Sequence, residues 1–126
     1  MALPLSVLAP HIAALLERLV PHAGGREICG LVAVNPRGEQ RFVRLRNLAE
    51  GEGSFIVDEM EMDRVSLQLE SAGWRIAALL HTHQQSARLS SADRVTLETS
   101  QMPWVIVVPR APGIETAFYH PRAAAE

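Results

Sequence analysis

The sequence predicts an α/β domain, a mixed β-sheet flanked by helices. Three observations carry that prediction. Segments with helical apolar spacing alternate with short apolar runs bounded by turn residues, the order expected of a sheet with helices packed on it. An Asn35-Pro36-Arg37-Gly38 turn between two of the runs marks a hairpin, so part of the sheet is antiparallel. The stretch Ile76-Ala77-Ala78-Leu79-Leu80 is apolar at every position, as in a strand covered on both faces.

Taken in order, Leu8, Ile12, Leu15 and Leu19 recur at helical spacing while Glu17 and Arg18 fall elsewhere, predicting an amphipathic helix over residues 7–20 with Pro10 in its first turn. Pro21 and Gly24-Gly25 break the pattern. A strand follows over 28–34, then the turn, then a returning strand over 41–46 with Val43 and Leu45 inward and Arg44 and Arg46 outward. Residues 47–54 read as a polar loop and Phe55-Ile56-Val57 as a short strand. Asp58 opens a second helix, with Glu61 three positions on as in a capping box, Met62, Val65 and Leu69 as its buried stripe, and Gly73 as its stop. Residues 74–83 form the apolar strand, 84–89 a polar loop, 90–102 a third helix, and 104–108 and 115–119 the last two strands. The chain reads as a single domain over 1–126, with 121–126 as a frayed tail.

Composition narrows the function classes. The chain has 126 residues, 48% hydrophobic and 21% charged, the profile of one globular core. Its 12 basic residues, all arginine, stand against 14 acids for a formal charge of −2, which argues against a general nucleic-acid or anionic-membrane binder. No apolar run approaches the roughly 18 residues of a membrane span, and the N-terminus lacks the basic lead of a secretory signal. A reducing cytoplasm is the expected compartment. Cys29 is the only cysteine, so there is no internal disulfide and no multi-cysteine zinc site, and any metal must rest on His, Asp and Glu.

Three features can carry chemistry. His81-Thr82-His83 ends the apolar strand, and residues two apart share a face, so both imidazoles can reach one ion. Five histidines in this length give about 0.2 such pairs by chance, so the pair alone is weak evidence. Ser90-x-x-Asp93 opens the third helix, which a helix cap explains fully; the same spacing also presents Asp93 as an oxygen ligand beside the strand end. Glu27 stands at the mouth of the first strand, where an exposed strand-end acid is the simplest account. Cys29, among Ile28, Gly30, Leu31 and Val32, reads as a small buried residue rather than a nucleophile. His11, His22 and His120 have no partners at ligand spacing, and Trp74, Met102 and Trp104 read as core.

Together, Glu27-Ile28-Cys29-Gly30, His81-Thr82-His83 and Ser90-x-x-Asp93 resemble the MPN-plus or JAMM family of zinc metalloproteases, in its small prokaryotic stand-alone form. Asn47, Phe55-Ile56-Val57-Asp58 and Glu61 also resemble that family's text, and the resemblance covers nearly the whole chain. It implies an α/β sandwich similar to the cytidine-deaminase layout. It further implies that His81, His83 and Asp93 bind one zinc ion, that Glu27 is the catalytic base for the attacking water, and that Ser90 helps stabilise the tetrahedral oxyanion. The sequence departs from the family pattern twice: six residues instead of seven separate His83 from Ser90, and Gln84 replaces the proline usual after the second histidine. A loop one residue short can swing Asp93 away from the metal.

The function so implied is a zinc-dependent metallopeptidase or isopeptidase. Its substrate would be a protein or peptide amide, at the C-terminus of a ubiquitin-like or sulfur-carrier protein or in a phage-tail context, with no nucleic acid or membrane partner. The alternative is a non-catalytic MPN-type scaffold that binds protein through a degenerate site.

Overall fold

The structure, a computed structural model, describes residues 5–51, 53–100, 102–110 and 112–121. Among these lie helix α1 (Pro10–Leu19), strands β1 (Cys29–Val34) and β2 (Gln40–Leu45), helix α2 (Glu59–Ser71), strand β3 (Arg75–Thr82), helix α3 (Ser91–Ser100), and strands β4 (Trp104–Pro109) and β5 (Ile114–Tyr119). The five strands form one sheet in the order β2-β1-β3-β4-β5. Only β3 and β4 are parallel, so the sheet is mixed as predicted.

Side-chain alternation splits the core into two layers. On one face, Val32, Leu80, Val105 and Val107 pack under Ile12 and Leu16 of α1. On the other, Leu31, Leu79 and Trp104 pack under Val65 and Leu69 of α2 and Leu97 of α3. The centre of β3 therefore feeds both layers, which accounts for its unbroken apolar run. Gly30 sits where the sheet is tightest: an added Cβ would collide with the Val43 carbonyl and lie 2.6 Å from Phe42 Cε1.

Three predicted elements differ in detail. Helix α1 begins at Pro10 rather than residue 7, with proline at its first position, and it turns Leu16 fully inward while Leu15 is only half-buried. Residues 55–57 are extended but not a strand. Leu48 N–H donates to the Ile56 carbonyl and Ile56 N–H donates to Asn47 Oδ1, so a loop and one side chain satisfy this segment and no ladder forms. At α2, Asp58 caps through Met60 N–H, but Glu61 does not close a capping box; its carboxylate accepts from Arg46 N–H at 2.9 Å instead. Gly73, at φ 90°, ends α2 as predicted, with Gly73 N–H donating to the Glu70 carbonyl and Trp74 N–H to that of Leu69. Most of the predicted frayed tail, residues 122–126, lies outside the described residues. No helix among the described residues is long and apolar enough to cross a membrane.

Candidate metal centre

The topology brings three distant chain points together. Because β1 and β3 are antiparallel, with Cys29 opposite His81, the residue entering β1 lies beside the residues leaving β3. Ile28 N–H donates to Thr82 Oγ1 at 2.9 Å and fastens this junction. Because β3 and β4 are parallel, their crossover through α3 starts at the same end of the sheet, so the first turn of α3 arrives there too.

Glu27, 7% exposed, reaches His81 at that junction, its Oε1 lying 2.9 Å from His81 Nδ1. Its Oε2 is 3.9 Å from His83 Nε2. The two imidazole centroids are 4.9 Å apart, as expected for rings on one face of a strand. His81 is fully buried, stacked on Phe55 with centroids 4.2 Å apart and edge-on to Trp104 at 5.0 Å. Asp93 Oδ2 lies 3.2 Å from His83 Nε2, so the six-residue loop is long enough to bring that carboxylate to the imidazole. Ser90 and Asp93 also cap α3 reciprocally: Asp93 N–H donates to Ser90 Oγ at 3.0 Å and Ser90 N–H to Asp93 Oδ2 at 3.2 Å. The cap and the histidine contact coexist. Ser90, Glu27, His83, Gln84 and Arg26 line an open cleft of about 420 Å³.

The protons on the two imidazoles leave one ring nitrogen of each free for a metal. The Ser86 carbonyl lies 2.8 Å from His83 Nδ1 and can only accept, so Nδ1 carries a proton and Nε2 is the nitrogen turned to Asp93. A carboxylate oxygen accepts, which likewise places the ring proton of His81 on the Nδ1 that faces Glu27 Oε1. His81 Nε2 is then a buried lone pair without a hydrogen-bond partner among the described residues. An orphaned polar atom of that kind costs about 1–3 kcal/mol, and a cation accepting the lone pair removes the cost. One ligand atom from each of Glu27, His81 and His83 lies within 4.8 Å of the others, so the group can hold a metal ion. Asp93, expected as a ligand, lies outside this group and meets it only at His83 Nε2. Imidazoles held by an outer carboxylate or carbonyl, with carboxylates beside them, form a donor set suited to a divalent metal ion.

The electrostatics agree with a poised charge pair. The hydrogen bond to Asp93 raises the His83 pKa above its ordinary value, against the opposing effect of burial. Burial pushes the Asp93 carboxyl up, but the His83 and Ser90 hydrogen bonds outweigh it and leave the carboxyl below its usual range. Burial also drives the Cys29 thiol up to about 11, with Arg44 only partly offsetting it, so no thiolate forms near neutral pH.

Sequence reasoning missed several supports. Asn47 Nδ2 donates to the carbonyls of Glu27 and Ser54, and its Oδ1 accepts from Ala49 and Ile56 N–H, tying the 47–57 loop to the backbone of Glu27. Arg26 Nη2 donates to the Asn47 and Ala49 carbonyls beside it. Phe55 and Trp104, read as strand and core, wall the His81 ring. The family resemblance marked Asn47, but a polar residue inside a glycine-containing loop gave no sign of these hydrogen bonds. His22 and His120 are exposed, and His11 Nε2 lies 3.0 Å from the Gln40 carbonyl.

A mixed α/β domain with two imidazoles and two carboxylates gathered at the end of its sheet is a domain able to hold a metal where its strands stop. The comparisons make the class specific. The model of the prokaryotic homologs of the JAB domain matches residues 9–120, and the chain belongs to this family, which includes metalloproteases and non-catalytic members. The fold is similar to the solution structure of protein DSY2949 from Desulfitobacterium hafniense, with TM-score 0.65, 20% identity, and 82% of this chain and 84% of that one covered. A search of curated proteins returns no match.

Proposed function

We propose that the chain is a zinc-dependent metallopeptidase or isopeptidase acting on a protein or peptide amide, at the C-terminus of a ubiquitin-like or sulfur-carrier protein or in a phage-tail assembly. The observation that carries this reading is the convergence of Glu27, His81, His83 and Asp93 beside an open cleft, with His81 Nε2 buried and without a partner among the described residues. His81, His83 and Asp93 would hold the ion. When bound, zinc supplies Lewis acidity, polarising the scissile carbonyl and making water a nucleophile near neutral pH.

The chain's own groups supply the rest. Glu27 Oε1 is engaged by His81, which leaves Oε2 as the base that takes the proton of the attacking water. The water oxygen bonds to the carbonyl carbon, the C–N bond breaks, and Glu27 returns the proton to the departing amine. The Ser90 hydroxyl, whose oxygen accepts from Asp93 N–H, keeps its own proton to donate to the developing oxyanion. The near-neutral charge suits a protein substrate rather than nucleic acid or a membrane, and the lone buried Cys29 suits a reducing cytoplasm.

The test is cleavage of a ubiquitin-like or sulfur-carrier protein extended at its C-terminus. The zinc-loaded wild type should release the extension, and Glu27→Gln should retain zinc while losing at least about 100-fold in rate, the usual contribution of a general base. Full activity in Glu27→Gln would refute the role of Glu27.

A further inference from the structure

The loop over residues 84–89 offers three successive carbonyls, each taken by a side chain from elsewhere. The Gln85 carbonyl accepts from Arg110 Nη2 at 2.7 Å, the Ser86 carbonyl from His83 Nδ1 at 2.8 Å, and the Ala87 carbonyl from the Tyr119 hydroxyl at 2.6 Å. Both outer donors come from the β4–β5 hairpin. Arg110 follows β4 and is itself fixed by Glu115, Nε to Oε1 at 2.6 Å. Tyr119 ends β5, paired with Trp104, the same Trp104 that walls His81. The Ala87 side chain is buried against Ile106 and Val108, with Tyr119 packed on the cluster.

The geometry points to Tyr119 and Arg110 as positioning residues for the metal centre. By fixing the carbonyls on either side of Ser86, they hold the Ser86 carbonyl against His83 Nδ1. His83 then turns Nε2, and not Nδ1, to Asp93 and Glu27. The outer hydrogen bond of a ligand imidazole decides which nitrogen is free and how the ring is rotated. A single carbonyl in a six-residue loop does this only if its peptide planes cannot turn, and the two outer bonds, one of them from a guanidinium, lock the planes on both sides. This inference rests on the reading of His83 as a ligand, but its evidence is in the chain alone.

Tyr119→Phe keeps the ring over Ala87 and removes only the hydroxyl, while Arg110→Gln acts at an exposed side chain. Two readouts apply to each variant. One is solvent exchange of the His83 ring Nδ1–H, followed by NMR in metal-free protein at mildly acidic pH. The other is zinc affinity by chelator competition. Each variant should keep its thermal midpoint within a few degrees of wild type, speed ring exchange about fivefold, and weaken zinc binding about tenfold. Ring exchange unchanged within about twofold in both variants would overturn the inference. If wild type takes up no zinc, the proposed function fails while ring exchange still decides this point. If Tyr119→Phe does not fold, Arg110→Gln decides it.

Discussion

Glu27 and Asp93 are carboxylates beside the same two imidazoles, and their surroundings set them to different work. Glu27 binds the nitrogen of His81 that carries the ring proton, whereas Asp93 faces the nitrogen of His83 that a metal would use. In metal-free protein the second contact is an ion pair whenever His83 is protonated, and its pH dependence follows from the two shifts. The raised His83 pKa makes its contribution complete below about 6.5 and lost as pH rises through the raised value. The lowered Asp93 pKa makes its contribution complete above about 3.8 and lost as pH falls through the lowered value. The stability gap between wild type and Asp93→Asn, measured without metal by thermal unfolding across pH, should therefore be widest between these limits and shrink both above and below them. A gap that is flat from acid to alkaline pH would remove the pair. Cys29 gives a second prediction at this scale. Buried, with a thiol pKa near 11, it should resist iodoacetamide at neutral pH in the native state and react once the chain is unfolded. Rapid native labelling coupled to loss of activity would instead make Cys29 a reactive group of the site.

At the scale of elements, what was legible is what is written locally. The helical period of α1, the Asp58 cap and Gly73 stop of α2, the Asn35–Gly38 turn and the Ser90/Asp93 cap are each decided within a few residues, and each stands in the structure. What was not legible is decided by partners far along the chain. Glu61 turns from the helix cap to Arg46, and residues 55–57 lose their strand because Asn47 and Leu48 satisfy Ile56 first. Asn47 is the clearest case, since its four side-chain hydrogen bonds join Glu27 to the loop that carries Phe55. Asn47→Ala should lower stability by about 2 kcal/mol in denaturant unfolding, because it leaves several backbone groups without partners. An unfolding midpoint equal to wild type would show that water replaces the side chain at no cost.

For the molecule as a whole, the motif residues were legible in order, but their meeting depends on strand pairing that no local pattern encodes. The His81/His83 pair needed only the strand period. Glu27 needed β1 to run antiparallel to β3, and Asp93 needed β3 to cross over to β4 in parallel. The six-residue loop, the one feature that put Asp93 in question, brings that carboxylate to His83, and residues of the β4–β5 hairpin hold two of its carbonyls. The central claim is that this meeting point is a metal centre, and zinc content tests it most directly. Purified protein dialysed against zinc and then freed of excess should hold one zinc per chain with a raised thermal midpoint, and His81→Ala should hold none. Wild-type protein that takes up no zinc, with an unchanged midpoint, would contradict the account and place the chain among the non-catalytic members of its family.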